Sequence, residues 1–420
     1  MQATVIDSER VAVQPTPAPW WQAARQVGYP AALWRLPNRT DKHLIVQFDA
    51  ELAQPPVDLE ELPAGFVMSP FANFDFGTGD PFCAPFLRAD LHVGQTGTGW
   101  RMTNEQATNL PDSFANALRD VSRKFTSAKL LDRSTGPLND DADRQRFEHS
   151  VGEAVAAMQQ RAFRKVVLSR TKVVPFDQEL DAVDLFEKLC VAYPTAFVSA
   201  VWLPDRQQVW VSATPERLVS AEADGTFRTI SLAGTQSAYD AGGRLKRPAE
   251  ALWSQKEIEE QALVSRYIIE CFKKIRLREY SEEGPKTILA GNLMHLGSHF
   301  TVDTGAVRYP QLGTVMTRLL HPTSAVCGWP RADAFAFINE HEGYDREFYS
   351  GFLGPVNMTS GQDEGGPESH LFVHIRCMKI EGQTATLYAG AGLTEDSDPQ
   401  KEWQETEMKC QTLLAVLKSL

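Results

Sequence analysis

Two features of the amino-acid sequence predict an α+β fold. Runs rich in β-branched and aromatic residues read as strands and follow one another in groups. Stretches with helical periodicity also come in groups, without strict strand–helix alternation. The chain has 420 residues, 43% of them hydrophobic, which supplies a substantial core and excludes a disordered chain. That length accommodates one large domain or two ordinary ones.

Along residues 1–140, proline is frequent and motifs are few. Trp20-Trp21, Pro55-Pro56 and Phe71 to Gly79 read as core pieces separated by turns, and alternation of Leu44, Val46 and Phe48 predicts a strand. Ser134 to Asp143 is polar, with a Gly136-Pro137 turn, and reads as a connector. Phe147, Val151, Val155, Met158 and Ala162 then share one face of a helix. Lys165 to Arg170 reads as a strand. Further strands are predicted at 196–203, 208–212, 371–380 and 385–388, and helices at 249–274, 309–320, 333–341 and 401–417. Pro248 suits the start of the first of these helices. Asn357 to Ser369, rich in Gly and acidic residues, reads as a mobile surface loop.

The net charge of −12 and the lack of a basic stripe argue against nucleic acid as a partner. An anionic substrate would therefore need a local cation cluster or a metal. Met1 to Val11 does not read as a secretory signal, and no apolar run approaches the roughly 18 residues that span a bilayer. The six cysteines, Cys83, Cys190, Cys271, Cys327, Cys377 and Cys410, are scattered without a CxxC pair, as reduced thiols of a cytoplasmic protein would be.

Several residues are candidates for chemistry. Glu260 lies on one predicted helix, and Glu402 and Glu405 sit a turn apart on another. Carboxylates converging from two helices suit Mg²⁺, although a single helical glutamate is ordinarily solvated. Lys165 opens an apolar strand: it either snorkels to water or, if buried, is available as a base. Glu216 follows a strand and a proline turn, as a helix-start carboxylate or a general acid would. Tyr388 to Gly392 is read as the end of a strand, where glycines let a carboxylate approach the backbone. Arg376, two residues from His374 and two from Met378, would share a sheet face with them and could clamp a carboxylate. His295 and His321, taken singly, read as hydrogen-bonded structural residues.

In this order, these blocks resemble the chorismate-binding enzymes: isochorismate and salicylate synthases and the synthase subunits for anthranilate and aminodeoxychorismate. The resemblance runs from Phe147 to Leu417. It is carried by Lys165 to Arg170, Ala213 to Arg217, Leu232 to Thr235, Lys256 to Glu260, His295-Leu296, Leu320 to Gly328, Glu342 to Gly351, Phe372 to Arg376, Tyr388 to Gly392, and Glu402 to Thr406 with Lys409. It implies two large antiparallel sheets packed together with helices outside. Residues 141–420 form the catalytic region, and 1–140, which resemble nothing placed, complete the same domain.

The resemblance also implies roles. Glu260, Glu402 and Glu405 would hold Mg²⁺ at the ring carboxylate of chorismate, with Arg376 and the amide of Gly390 clamping the enolpyruvyl carboxylate. Ala233, Gly234, Thr235, His295, Ala325, Tyr349, Gly392 and Lys409 would line the rest of the substrate site. Lys165 stands where isochorismate and salicylate synthases carry the base that activates water, and Ala233 where many aminodeoxychorismate synthases carry a nucleophilic lysine. Both favour water over ammonia as nucleophile. Lys165 would work as a neutral amine, and Glu216 would keep its proton near neutral pH. Isochorismate synthase, an isomerase of menaquinone, siderophore or salicylate pathways, is the reading preferred. It would be a monomer with no amidotransferase subunit and no membrane or nucleic-acid partner. Salicylate synthase, which goes on to eliminate pyruvate, and anthranilate synthase component I are the alternatives; Lys165 speaks against the second. The chain departs from the family pattern at Gln261, Gln236 and Glu347.

Overall fold

A computed structural model describes residues 13–14, 16–74, 82–96, 99–103, 110–120, 140–240, 242–290, 293–359 and 366–419. Most of the expected 134–143 connector, residues 75–79 of the early core piece and the centre of the 357–369 loop lie outside them. In chain order the strands are β1 (Val13–Gln14), β2 (Ala31–Arg35), β3 (Lys42–Val46), β4 (Gly65–Ser69), β5 (Phe86–Arg88), β6 (Leu91–Thr96), β7 (Gly99–Met102), β8 (Lys165–Pro175), β9 (Phe197–Leu203) and β10 (Gln208–Thr214). They continue as β11 (Arg217–Ala221), β12 (Thr226–Ser237), β13 (Ser281–Ala290), β14 (Leu293–Asp303), β15 (Gly328–Trp329), β16 (Phe352–Val356), β17 (Ser369–Val373), β18 (Cys377–Glu381) and β19 (Thr384–Leu393). The α-helices are α1 (Ala18–Val27), α2 (Asp112–Arg119), α3 (Asp140–Gln159), α4 (Ala182–Ala192), α5 (Gln255–Lys274), α6 (Leu312–Leu320), α7 (Arg331–His341) and α8 (Pro399–Leu417).

The strands form two antiparallel sheets. The larger has the order β1-β7-β6-β3-β2-β9-β10-β18-β19-β8-β15, the smaller β13-β14-β12-β11-β17-β16-β4-β5. Strands from the first 140 residues enter both: β2 pairs with β9, and β4 with β16. Along β9, Phe197 and Val201 face the core between the sheets, while Val198, Ala200 and Trp202 face a second core. Both faces are therefore apolar, which explains the unbroken hydrophobic runs. Phe197 of the large sheet stacks on Phe372 of the small one at 4.2 Å between centroids. The second core lies against α1, α4 and α8, through Trp20, Phe186 and Leu413. A third cluster joins α3 and α7 to β8 and β19 through Val151, Ile338, Leu168 and Ala391.

Three expectations need correction. The run 371–380 is not one strand: β17 belongs to the small sheet and β18 to the large one. The chain crosses between them at 374–376, where Arg376 has φ 49°. Strand alternation does not hold across such a break, so Arg376 does not share a sheet face with His374 and Met378. The strand expected at 385–388 runs on to Leu393, so Gly390 and Gly392 are ladder residues near the end of β19, paired with β8. Pro248 begins only a short 3₁₀ turn, and α5 starts later. Its N-cap is Ser254, whose hydroxyl accepts from the Glu257 amide while the Glu257 carboxylate accepts from the Ser254 amide.

Candidate active site

A tight cleft, with a cavity volume of about 50 Å³, opens between the two sheets. Its walls come from distant parts of the chain. Ala233, Gly234 and Thr235 lie at an irregularity of β12, His295 on β14, Gly390 and Gly392 on β19, and Lys409 on α8. Ala325, Tyr349 and Arg376 come from loops. All ten residues read from the sequence as substrate-binding are thus on one lining, with Glu216 and Glu260 beside them. The apolar liners Val167, Leu232, Val326 and Ile375 carried no sequence signal of a site, because core valines and leucines look the same.

Glu216 does not begin a helix; it sits in the short link between β10 and β11, 4% exposed. Burial pushes its carboxyl up to about 7, against the pull of Arg376, Lys165 and Lys409. Thr323 reaches Glu216 Oε1 with its hydroxyl at 3.5 Å. His295 is neutral, because burial, with Arg376 adding to it, pushes its imidazole down to about 3. Its Nδ1 donates to the Gly234 carbonyl at 2.7 Å, which leaves Nε2 as an acceptor 3.4 Å from Arg376 Nη2. The histidine therefore ties the β12 loop to the arginine. His321 lies off this lining, with Nε2 3.2 Å from the Pro70 carbonyl.

A lysine–glutamate lattice adjoins the cleft: Glu260 and Lys409 are on its lining, whereas Lys165, Lys256, Glu402 and Glu405 are not. Lys165, completely buried at the start of β8, donates to Glu260 Oε1 at 3.0 Å. The Gly234 amide donates to Glu260 Oε2 at 3.3 Å. Burial works to raise Glu260, but Lys165, Lys409 and Lys256 outweigh it and hold the carboxylate below its ordinary range. Lys256 pairs with Glu402, and Lys409 with Glu405 at 2.6 Å. Lys409 also donates to the Gly390 carbonyl at 2.8 Å. A Cβ on Gly392 would lie 2.3 Å from Glu260 Oε1, and one on Gly390 2.8 Å from the Tyr349 hydroxyl. Close approach of these side chains, not a turn, is what requires glycine at both positions.

The three glutamates bear on the same point: Lys256 feels Glu402, Glu405 and Glu260 together. Among the described residues, however, no three metal-capable side chains are assembled as a ligand set. The three expected carboxylates are therefore not assembled as a ligand set; each is held by its own lysine. The donor chemistry nevertheless fits a hard cation, because all three offer oxygen. Glu402 is 1% exposed, and its Oε2 is buried with no partner in good hydrogen-bond geometry among the described residues. Burial and neighbouring Glu405 raise this carboxyl, with Lys256 opposing.

A support missed from the sequence lies behind β8. Arg346 and Glu342 form a buried ion pair, 3% and 2% exposed at the side chain. Arg346 donates to the Val326 and Val167 carbonyls, and Glu342 accepts from the Ser169 amide and hydroxyl, so the pair fixes two walls of the cleft. The three departures from the family pattern all have local partners. Gln261 donates to the hydroxyls of Ser231, Ser265 and Ser298, Gln236 accepts from Lys246, and Glu347 pairs with Lys379.

Comparison with known proteins agrees with this geometry. A family model described as chorismate binding enzyme matches residues 96–418. The isochorismate synthase EntC of Escherichia coli (strain K12) is 31% identical over 315 residues, covering 72% of this chain and 75% of that protein. The vibriobactin-specific isochorismate synthase of Vibrio cholerae is 28% identical over 286 residues, 68% of this chain and 70% of that one. The fold is that of the menaquinone-specific isochorismate synthase MenF from Escherichia coli, with a TM-score of 0.72 at 22% identity, over 95% of this chain and 91% of that one. Two antiparallel sheets, a cleft between them lined by the motif residues, and a match over most of the length lead to one assignment: the chain belongs to the chorismate-binding enzyme family.

Proposed function

We propose that the chain is an isochorismate synthase, an isomerase that converts chorismate to isochorismate. The observation that carries this reading is that Lys165, ion-paired with Glu260 of the cleft lining, acts on the buried Glu216, with the inert methyl group of Ala233 on the same lining as both glutamates. Lys165 takes a proton from water as it adds to ring carbon 2, the double bonds shift, and Glu216 gives its proton to the hydroxyl leaving carbon 4. The buried, near-neutral carboxyl of Glu216 supports its role as the acid. Base catalysis needs Lys165 as the free amine, so its ion pair with Glu260 has to part before turnover. Arg376, oriented by His295, suits the enolpyruvyl carboxylate as a clamp. Glu260, Glu402 and Glu405 would hold Mg²⁺, which when bound neutralises the ring carboxylate. Metal and arginine together offset the repulsion of a dianion by a protein of charge −12.

Ala233 and Lys165 support water as the nucleophile, so the enzyme works without an amidotransferase subunit; a monomer is what the family resemblance implies. The described cysteines are free thiols, which supports a reducing, cytoplasmic setting. Among the described residues no helix is long and apolar enough to cross a membrane. Incubation with chorismate and Mg²⁺, followed by product identification, tests the reading. Isochorismate as the released product is expected. Salicylate with pyruvate would reassign the chain to the lyase branch, and rapid amination with ammonium salts would overturn the choice of nucleophile.

A further inference from the structure

The three carboxylates proposed for the metal are not equivalent in what holds them. Lys165 and Lys409 are built into the cleft: the first is completely buried, and the second also carries the Gly390 carbonyl. Lys256 stands on the first turn of α5 with 32% of its side chain open to solvent, yet its ammonium is paired with Glu402, which is 1% exposed. That pair neutralises a buried carboxylate which would otherwise be costly to keep charged. It also occupies one carboxylate oxygen, while the other, Oε2, is buried with no partner in good hydrogen-bond geometry and the Ser397 hydroxyl as its nearby neutral neighbour. A cation arriving here would find one oxygen with only a neutral neighbour and one already taken. It would also meet the field of an ammonium that acts on all three glutamates.

We propose that Lys256 is a resident counter-ion that a divalent cation must displace, and that it thereby sets the metal affinity of the site. The proposal rests on the carboxylate metal site and is independent of which product leaves. Displacement is feasible for this lysine because its side chain is partly open to solvent, so the head can swing into water, whereas Lys165 is completely buried. In the cation-free protein the lysine keeps Glu402 compensated. Once the cation is bound, the lysine is released and its charge is solvated.

The test is isothermal titration of MgCl₂ into the purified full chain at pH 8, with and without chorismate, for wild type, Lys256→Met, Lys256→Gln and Lys256→Arg. Removing the competing charge should tighten Mg²⁺ binding by about tenfold or more in both neutral variants. Lys256→Arg, which keeps the charge, should stay close to wild type. Two neutral variants guard against a local packing defect in either one, and thermal melts check that each is folded. Unchanged or weaker Mg²⁺ binding in the neutral variants overturns the proposal. Absence of Mg²⁺ binding in wild type under both conditions would overturn the carboxylate site itself, and this inference with it. The product assay is separate and would reveal a wrong function without bearing on the affinities.

Discussion

Glu216 and Glu260 line the same cleft, and burial works to raise both carboxyls. They nevertheless move in opposite directions. Glu216 is pushed up to about 7, while Glu260 is held below the ordinary carboxylate range. What differs is the neighbour at contact distance. Glu260 has the Lys165 ammonium at 3.0 Å and a backbone amide at 3.3 Å. Glu216 has only a threonine hydroxyl, at 3.5 Å, with its cations acting from further away. Burial alone therefore does not assign a role in this site. The partner at contact makes one carboxyl a proton donor and the other a permanent anion suited to a cation.

The largest effect should come from removing the anion. Glu260→Gln replaces a carboxylate by a poor Mg²⁺ ligand and leaves Lys165 buried without its counter-ion. Turnover should be abolished, Mg²⁺ binding lost, and the melting temperature lowered although the chain still folds. Excess chelator should silence the wild type in the same way, with recovery on adding Mg²⁺. Full activity in chelator would remove the anion's assigned purpose.

Next in size are the two proton-transfer groups. Lys165→Ala and Glu216→Gln should each lower turnover by roughly 10²–10⁴-fold, with a much smaller loss of chorismate affinity. The double variant should lose less than the product of the single losses, since both groups act in one displacement. Near-normal turnover in Lys165→Ala would sink the acid–base assignment even with the family intact.

The contrast between the two carboxyls was only partly legible in the sequence. Local patterns predicted the strand at β8 from its β-branched run, and the helices α3 and α8 from their helical spacing of apolar residues. The roles of Lys165, Glu216 and the three glutamates came from the order of the motifs, since spacing alone does not distinguish a ligand from a solvated helical glutamate. Hidden from any local reading were the contacts between distant segments. The Lys165 pair with Glu260 joins residues 95 apart, and that of Lys256 with Glu402 joins residues 146 apart. The crossover at Arg376 was hidden for a different reason. Residues 371–380 are apolar on both sides of it, so nothing in the pattern marks the point where the chain leaves one sheet for the other. The reason for glycine at Gly392 was hidden, because the approach of Glu260, from 132 residues away, is invisible in a strand's own sequence.

The smallest predicted effect sharpens the comparison most, because it separates stability from catalysis. A carboxyl raised from 4.5 to about 7 binds its proton more tightly in the folded protein than in the unfolded chain. Between those two values the folded state carries more protons, so stability falls as pH rises through the window and levels off above it. The penalty at alkaline pH is on the order of 3 kcal/mol. Glu216→Gln does not titrate and should escape it. The variant should therefore be more stable than wild type at pH 8, with the gain shrinking towards pH 5, although it is crippled in turnover. Glu260→Gln should move the other way at neutral pH. Its carboxyl is lowered, so its contribution is present above the unfolded value near 4.5 and lost as pH falls through the folded one. Urea midpoints for the three proteins between pH 5 and pH 8 would measure this. Parallel pH slopes for wild type and Glu216→Gln would show that Glu216 does not hold its proton through burial, and the distinction between the two carboxyls would fail at its source.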